Sequence, residues 1–427
     1  MIDHLVLGAG IAGLGAAYGV RQSGEAAVIF EARNSAGGLL DNFIVNDFRF
    51  DTGVHLSFAT ESMVREIFDK VPYIEHDAES INWDNGIWLR HPAQNNMYPL
   101  PPEQKVELIS GLISGADTKI ENYRDWLINQ YGLPIAERWP LVYTEKYWTL
   151  PGEQLGTQWI GKRMRKADVR EVLRGALSDK VENTYYISKM RYPVTGGYRA
   201  FIQQLIDDAD IQYGCRAKLV DQKTKSVKFE NGMIVDYKNI ISTIPLPDLV
   251  EIMVDVPDEI EAAARTLFAT SMDLVSVGFR RNNVPPSLWF YIYDTDIWAS
   301  RAYSPSRKAP SNAPVGCSSL QFEIYSSIHK PLNASPEKLK ENTIYALKKM
   351  KLATEDDILF IDHRRISHAN VVFDLGMEER RNIVRNWVES SGVTLAGRFG
   401  EWDYLWSNQA FLSGLKAGQK ALQARTT

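Results

Sequence analysis

The sequence predicts an α/β protein whose sheet starts within the first few residues. Three observations predict that class. Residues 5–7 form a short apolar run that reads as a buried strand and leads into Gly8-Ala9-Gly10-Ile11-Ala12-Gly13. A helix is expected over 11–22, followed by a second apolar strand at 27–30 that closes on Glu31. Beyond it, helical and strand-like stretches alternate, as they do when helices cover a sheet. The opening βαβ unit is therefore of the Rossmann type.

At 427 residues the chain exceeds one ordinary core, so two or three lobes are expected. The spacing of apolar residues turns helical from about 103 to 179, through Val106, Leu108, Leu112, Trp126 and Leu127 to Val169, Val172, Leu173 and Leu177. Strand-like alternation returns over 217–243, with a turn at Asn231-Gly232. Residues 272–325 read as β-rich and 336–350 as one amphipathic helix after Ser335-Pro336. Residues 393–396 make a last short strand before Gly397-Arg398 and a C-terminal helix from about Gln409. The resulting division is a discontinuous Rossmann-type domain (1–80, 191–265 and 366–427), a mainly helical insert (81–190) and a mostly antiparallel substrate-domain sheet (266–365).

Composition narrows the function. The net charge of -5 offers no basic field for nucleic acid, so phosphate recognition falls to a few placed arginines. Cys215 and Cys317 stand far apart, outside metal-ligand spacing, so no metal site and no disulfide framework are expected. No run approaches the roughly 18 apolar residues of a membrane span, and no signal segment is read at the start, so the expected address is cytoplasmic. A homo-oligomeric assembly is compatible with the sequence.

The glycine loop has a definite physical logic. Gly8 permits a tight turn, Gly10 lets backbone approach a pyrophosphate, and Gly13 lets the helix pack on the sheet with its positive end toward the phosphates. Glu31 is placed to accept hydrogen bonds from a ribose and to repel a 2′-phosphate. A glycine turn that only packs a helix is the plain alternative; strand, helix and acid in register argue against it.

Glu31-Ala32-Arg33 followed by Gly37-Gly38 resembles the second half of the FAD fingerprint in the group containing flavin amine oxidases, protoporphyrinogen oxidase and UDP-galactopyranose mutase. Phe50-Asp51-Thr52-Gly53-Val54-His55 resembles that group's segment beside the flavin ring. Gly397-Arg398 resembles its C-terminal return to the cofactor. The resemblance implies FAD held by Gly8, Gly10, Ile11, Ala12, Gly13, Glu31, Ala32, Arg33, Gly38, Leu39, Gly53, His55, Gly397, Arg398, Ser407 and Asn408, with the helix after Ser407 aimed at the flavin.

Within the group, Tyr143-Thr144-Glu145-Lys146-Tyr147-Trp148 is similar to a motif of the mutase, as are Gly161-Lys162-Arg163, Tyr192-Pro193-Val194-Thr195-Gly196-Gly197-Tyr198 and Glu401-Trp402-Asp403-Tyr404. Arg301 aligns with a substrate arginine. The resemblance implies Arg163, Arg301 and His55 as catalytic residues, the two arginines gripping a nucleotide diphosphate bidentately. It implies Tyr143, Trp148, Tyr185, Tyr186 and Tyr404 as substrate-binding residues. The implied reaction interconverts pyranose and furanose forms of a nucleotide sugar, with N5 of the reduced flavin as nucleophile and NAD(P)H a candidate reductant, in surface-polysaccharide precursor synthesis. Each residue also has a plainer reading: Arg163 in a solvated basic cluster, Tyr143 and Trp148 in the core, His55 as loop packing.

The chain departs from the mutase pattern at Trp406-Ser407 and Phe58-Ala59, and Ser413-Gly414-Leu415-Lys416-Ala417 looks more like the oxidase branch. The competing reading is an FAD oxidoreductase of the amine oxidase or protoporphyrinogen oxidase kind. Amine oxidases place a lysine on a substrate-domain strand, and 266–279 contains none. A non-catalytic FAD scaffold is the third reading.

Overall fold

The structure is a computed structural model that describes residues 1–115, 119–161, 168–180 and 189–423. Its first sheet has a parallel centre in the order Asp210–Gln212, Ala27–Phe30, Ile2–Leu7, Ile234–Ser242, Val393–Leu395. Three distant stretches of chain thus build one layer. The strands Ala217–Asp221 and Ser226–Phe229 extend it antiparallel, and the expected turn lies at Gly232, with φ of 87°.

Helix Ile11–Gln22 covers this sheet and is itself crossed by Ser407–Gln423. Small residues permit the crossing: a Cβ on Gly414 would lie 1.9 Å from the Ala12 carbonyl oxygen, and one on Gly15 2.5 Å from that of Phe411. The backbones touch where most pairs of helices are separated by side chains.

The second sheet has the order Ile358–Val371, Ala269–Phe279, Ser318–Ser326, Arg301–Tyr303, Trp289–Ile292, Ile81–Asp84, Ile87–Arg90. All neighbours are antiparallel except Trp289–Ile292 with Ile81–Asp84. Its Val275, Phe290, Phe322 and Ile324 pack with Leu339, Ala346 and Leu347 of helix Pro336–Lys349. The opposite face carries Arg301, Tyr303, Glu323 and Tyr325, because paired residues and residues two apart share a side of the pleat. That face looks toward the first sheet.

Two features differ from expectation. The 81–190 stretch opens with two strands of the second sheet before helices Pro102–Ser114, Tyr123–Tyr131, Leu133–Arg138, Pro140–Tyr147 and Val169–Leu177. Strand Ile358–Val371 runs without a break across the 365/366 boundary, so it belongs to both lobes. Among the described residues, no helix is long and apolar enough to cross a membrane, and no cluster of His, Cys, Asp or Glu could hold a metal ion.

Candidate active site

Between the two sheets lies a cavity of about 690 Å³ that runs from the glycine loop to the polar face of the second sheet. At one end the loop is tightly determined. A Cβ on Gly13 would sit 1.9 Å from the Gly8 carbonyl oxygen, which is why glycine is required in the first turn of helix Ile11–Gln22. At Gly10, by contrast, a Cβ would meet only the Gly38 Cα at 3.9 Å, and both residues line the cavity. Gly13 closes the turn; Gly10 leaves room for something else.

Glu31 is buried at the end of its strand, where its two oxygens accept the Ala9 N–H at 2.8 Å and the Arg33 N–H at 2.9 Å. The carboxylate therefore braces both the glycine loop and the turn after it. Arg33 in turn donates to the Gly38 carbonyl at 3.2 Å, and Gly37 N–H to that of Ala9 at 2.8 Å. From the C-terminal side, Gly397 sits so close to Ala12 that a Cβ on it would come within 2.4 Å. Arg398 donates to Asn370 Oδ1 at 3.0 Å and stacks 4.6 Å from the Tyr404 ring centroid, while its Nε is buried without a hydrogen-bond partner. A glycine cradle, a braced acid and an unpaired guanidinium donor fit a dinucleotide cofactor such as FAD.

Farther along, Gly53 (φ of 120°) and His55 border the cavity. The His55 ring lies 3.1 Å from the Gly53 carbonyl and 5.3 Å from the Tyr198 ring, and burial pushes its pKa down from 6.5 to about 4. It is a neutral imidazole at pH 7. Ser407 and Ala410, in the first turn of the C-terminal helix, also face the cavity, and Ser407 Oγ is 2.9 Å from the Tyr198 hydroxyl.

The opposite wall is built around Arg301. Its guanidinium pairs with Glu323, donates to the Tyr325 hydroxyl at 3.2 Å and lies 5.2 Å from the Tyr147 ring. Burial opposes its charge, but the adjacent Glu323 carboxylate prevails and holds its pKa well above the ordinary value. Tyr325 donates to the same Glu323 oxygen at 2.7 Å, and the other Glu323 oxygen accepts the Val54 N–H at 2.8 Å.

Of the cofactor residues expected from sequence, Gly8, Gly10, Ile11, Ala12, Glu31, Arg33, Gly38, Leu39, Gly53, His55, Gly397, Arg398 and Ser407 line this cavity. Gly13, Ala32 and Asn408 do not; Asn408 is buried and donates to Glu61 at 2.8 Å. Of the substrate residues, Arg301 and Tyr404 line it. Trp148 is instead buried behind Tyr404, 5.4 Å ring to ring, and Tyr143 packs 5.3 Å behind both Tyr147 and Tyr291. Tyr147, one residue from Trp148, is the ring of that motif that reaches the cavity. Lys146 ties the motif to the second sheet through the Ile292 and Asp294 carbonyls at 2.8 and 2.9 Å. Arg163, Tyr185 and Tyr186 lie outside the described residues. Glu323, Tyr325 and Tyr147 were not anticipated as site residues; the β-rich reading of 272–325 covers the strand but does not say which residue meets Arg301.

The family model for flavin-containing amine oxidoreductases matches residues 11–422. The chain belongs to that family. In structure, the chain resembles crystalline reduced UDP-galactopyranose mutase with a TM-score of 0.93 and 25% identity, over 100% of this chain and 97% of the other. A protein described as a protoporphyrinogen oxidase from Exiguobacterium sp. 255-15 gives 0.75 at 16% identity, covering 99% of each chain. Putrescine oxidase bound to putrescine gives 0.66 at 15%, over 100% and 99%. These two show the shared fold alone. The 1-hydroxycarotenoid 3,4-desaturase of Flavobacterium sp. (strain P99-3) is 25% identical over 142 residues, 30% of this chain and 29% of that relative's length. The chain is thus a flavoenzyme of the amine oxidoreductase superfamily, similar in structure to UDP-galactopyranose mutase.

Proposed function

We propose that the protein is an FAD-dependent mutase of nucleotide-diphosphate sugars that interconverts pyranose and furanose forms. The observation that carries this reading is Arg301, a guanidinium fixed in the cavity wall opposite the cofactor cradle by Glu323, Tyr325 and Tyr147. A planar, permanently charged fork suits a diphosphate that must leave and return without diffusing away. The extensive likeness to a reduced mutase structure supports it.

When bound and reduced, FAD supplies an electron-rich nucleophile for the anomeric carbon. The protein's own residues do the rest. Arg301 binds the departing diphosphate, with Arg163 proposed as its partner. The rings of Tyr147, Tyr325 and Tyr404 wall the sugar and exclude water. His55, uncharged at pH 7, offers the flavin a neutral hydrogen-bonding edge. The N-terminus of helix Ser407–Gln423 favours negative charge on the reduced ring. Tyr185 and Tyr186 are further proposed substrate contacts, while Tyr143 and Trp148 back the rings that make contact. The role fits surface-polysaccharide precursor synthesis in the cytoplasm, with NAD(P)H as reductant.

The second reading is an oxidoreductase, which the family match favours. Such an enzyme would accept hydride from a small substrate and has no evident use for Arg301; no lysine is among the described residues lining the cavity. Adding UDP, GDP or dTDP to the FAD-loaded protein separates the two. The mutase reading expects at least one of them to shift the flavin spectrum and Arg301→Ala to abolish that shift. Silence toward all three would favour the oxidoreductase.

A further inference from the structure

Glu323 has no exposed side-chain surface, yet it touches both walls of the cavity. One oxygen takes the Val54 N–H of the loop that carries His55. The other takes Arg301 and the Tyr325 hydroxyl. Arg301 and Glu323 are also directly paired across neighbouring strands, so the sheet brings their side chains to one side of the pleat. A carboxylate with three placed donors is expensive to bury and is retained only where its donors repay the desolvation. The Gly53 backbone fits against it: a Cβ on Gly53 would lie 3.6 Å from Glu323 Oε1.

We infer that Glu323 is a positioning residue, which locks Arg301 to the Gly53–His55 loop so that the diphosphate-binding cation and the loop beside the flavin move as one unit. Two consequences follow from its charge. It holds the charged Arg301 fork in one orientation, and for a bidentate diphosphate contact that orientation outweighs the positive potential the carboxylate offsets. It also places a negative group near the flavin, which disfavours the anionic reduced form. The part concerning substrate rests on the nucleotide-sugar reading; the part concerning the flavin does not.

The test uses the FAD-loaded protein and two readouts. In Glu323→Gln the flavin midpoint potential should move in the positive direction, because a negative charge has been removed while a side chain of the same shape remains. A potential that is unchanged or more negative overturns the inference. With UDP as probe and binding followed by calorimetry rather than by the flavin spectrum, Glu323→Gln should weaken binding roughly tenfold when Arg301 is present, about 1.4 kcal/mol, and less than about twofold in the Arg301→Met background. An equal loss in both backgrounds overturns it. If wild-type protein ignores UDP, GDP and dTDP alike, the nucleotide-sugar reading fails and the potential alone decides the role of Glu323. If Glu323→Gln loses FAD because Arg301 is left unpaired, Arg301→Met/Glu323→Gln should recover it; a double variant no better than the single one overturns the inference.

Discussion

The Lys308 ammonium and the Asp51 carboxylate, both fully buried, lie 3.1 Å apart behind the loop that leads to His55. Asp51 also accepts the Tyr192 hydroxyl at 2.7 Å and the Tyr198 N–H at 3.0 Å, and Lys308 Nζ lies 4.0 Å from the Tyr303 ring centroid. This cluster joins the end of strand Phe48–Asp51 to the second sheet. Removing one partner strands a buried charge, so Lys308→Met should cost roughly 3–5 kcal/mol. The exposed pair Lys348 and Glu355 is the control: Lys348→Met should leave the melting temperature nearly unchanged. Equal effects on melting would show that Lys308 anchors nothing.

The glycine loop separates folding from cofactor binding. Gly10→Ala meets no close protein atom and has an extended φ of −73°, so the chain should fold normally. It should nonetheless weaken flavin binding by roughly tenfold or more, because the methyl group projects where the pyrophosphate would lie. Gly13→Ala drives a methyl group into the Gly8 carbonyl and should destabilise the protein itself by about 1–3 kcal/mol or more. Flavin absorbance and melting curves distinguish the two, and a Gly10→Ala protein that keeps its full flavin content contradicts the assignment.

Acid sensitivity follows from the histidines. Burial lowers His55 to about 4 and His91 to about 3, against an ordinary value of 6.5. Above pH 6.5 both are neutral folded or unfolded, and they contribute nothing to the pH dependence. Below it the unfolded chain takes up protons that the folded protein refuses, so stability falls from about pH 6.5 down toward 4, by at most about 1.4 kcal/mol per pH unit for each histidine. His55→Gln should flatten the decline in melting temperature over that range. An unchanged slope would mean that the His55 ring is protonated as readily folded as unfolded.

Much of this was legible in the sequence because local signals carry it. Gly8 to Gly13 and Glu31 lie within a single βαβ unit, so spacing alone brings them together. Gly397-Arg398 was legible only through resemblance, since nothing local says that a strand at 393–395 pairs beside Ile234–Ser242. The aromatic motif was found but its phase was not. Tyr147 and Trp148 are neighbours at a helix end, and which ring faces the cavity depends on how Pro140–Tyr147 docks against the second sheet. Glu323 was hidden for a similar reason. Its partners Arg301 and Val54 are joined to it by strand register and by lobe packing, which single-sequence periodicity does not encode.

Strand Ile358–Val371 shows the same limit from another side. Its His363-Arg364-Arg365 stretch breaks the apolar alternation, but its polar groups are partnered: Asp273 on the adjacent strand lies 2.6 Å from Arg365 Nη1 and 2.8 Å from His363 Nε2, and Arg364 pairs with Asp362 of its own strand at 3.0 Å. Polar partners, one of them the cross-strand ion pair of Arg365 with Asp273, replace hydrophobic patterning there.

The mutase reading stands or falls on electron balance. FAD-loaded protein, reduced once and kept without oxygen, should convert a nucleotide-diphosphate hexopyranose to its furanose over many turnovers, followed by chromatography of the nucleotide sugars, while the flavin stays reduced. Reductant consumed in proportion to product, or peroxide formed with substrate when oxygen is admitted and no furanose at any stage, would contradict it.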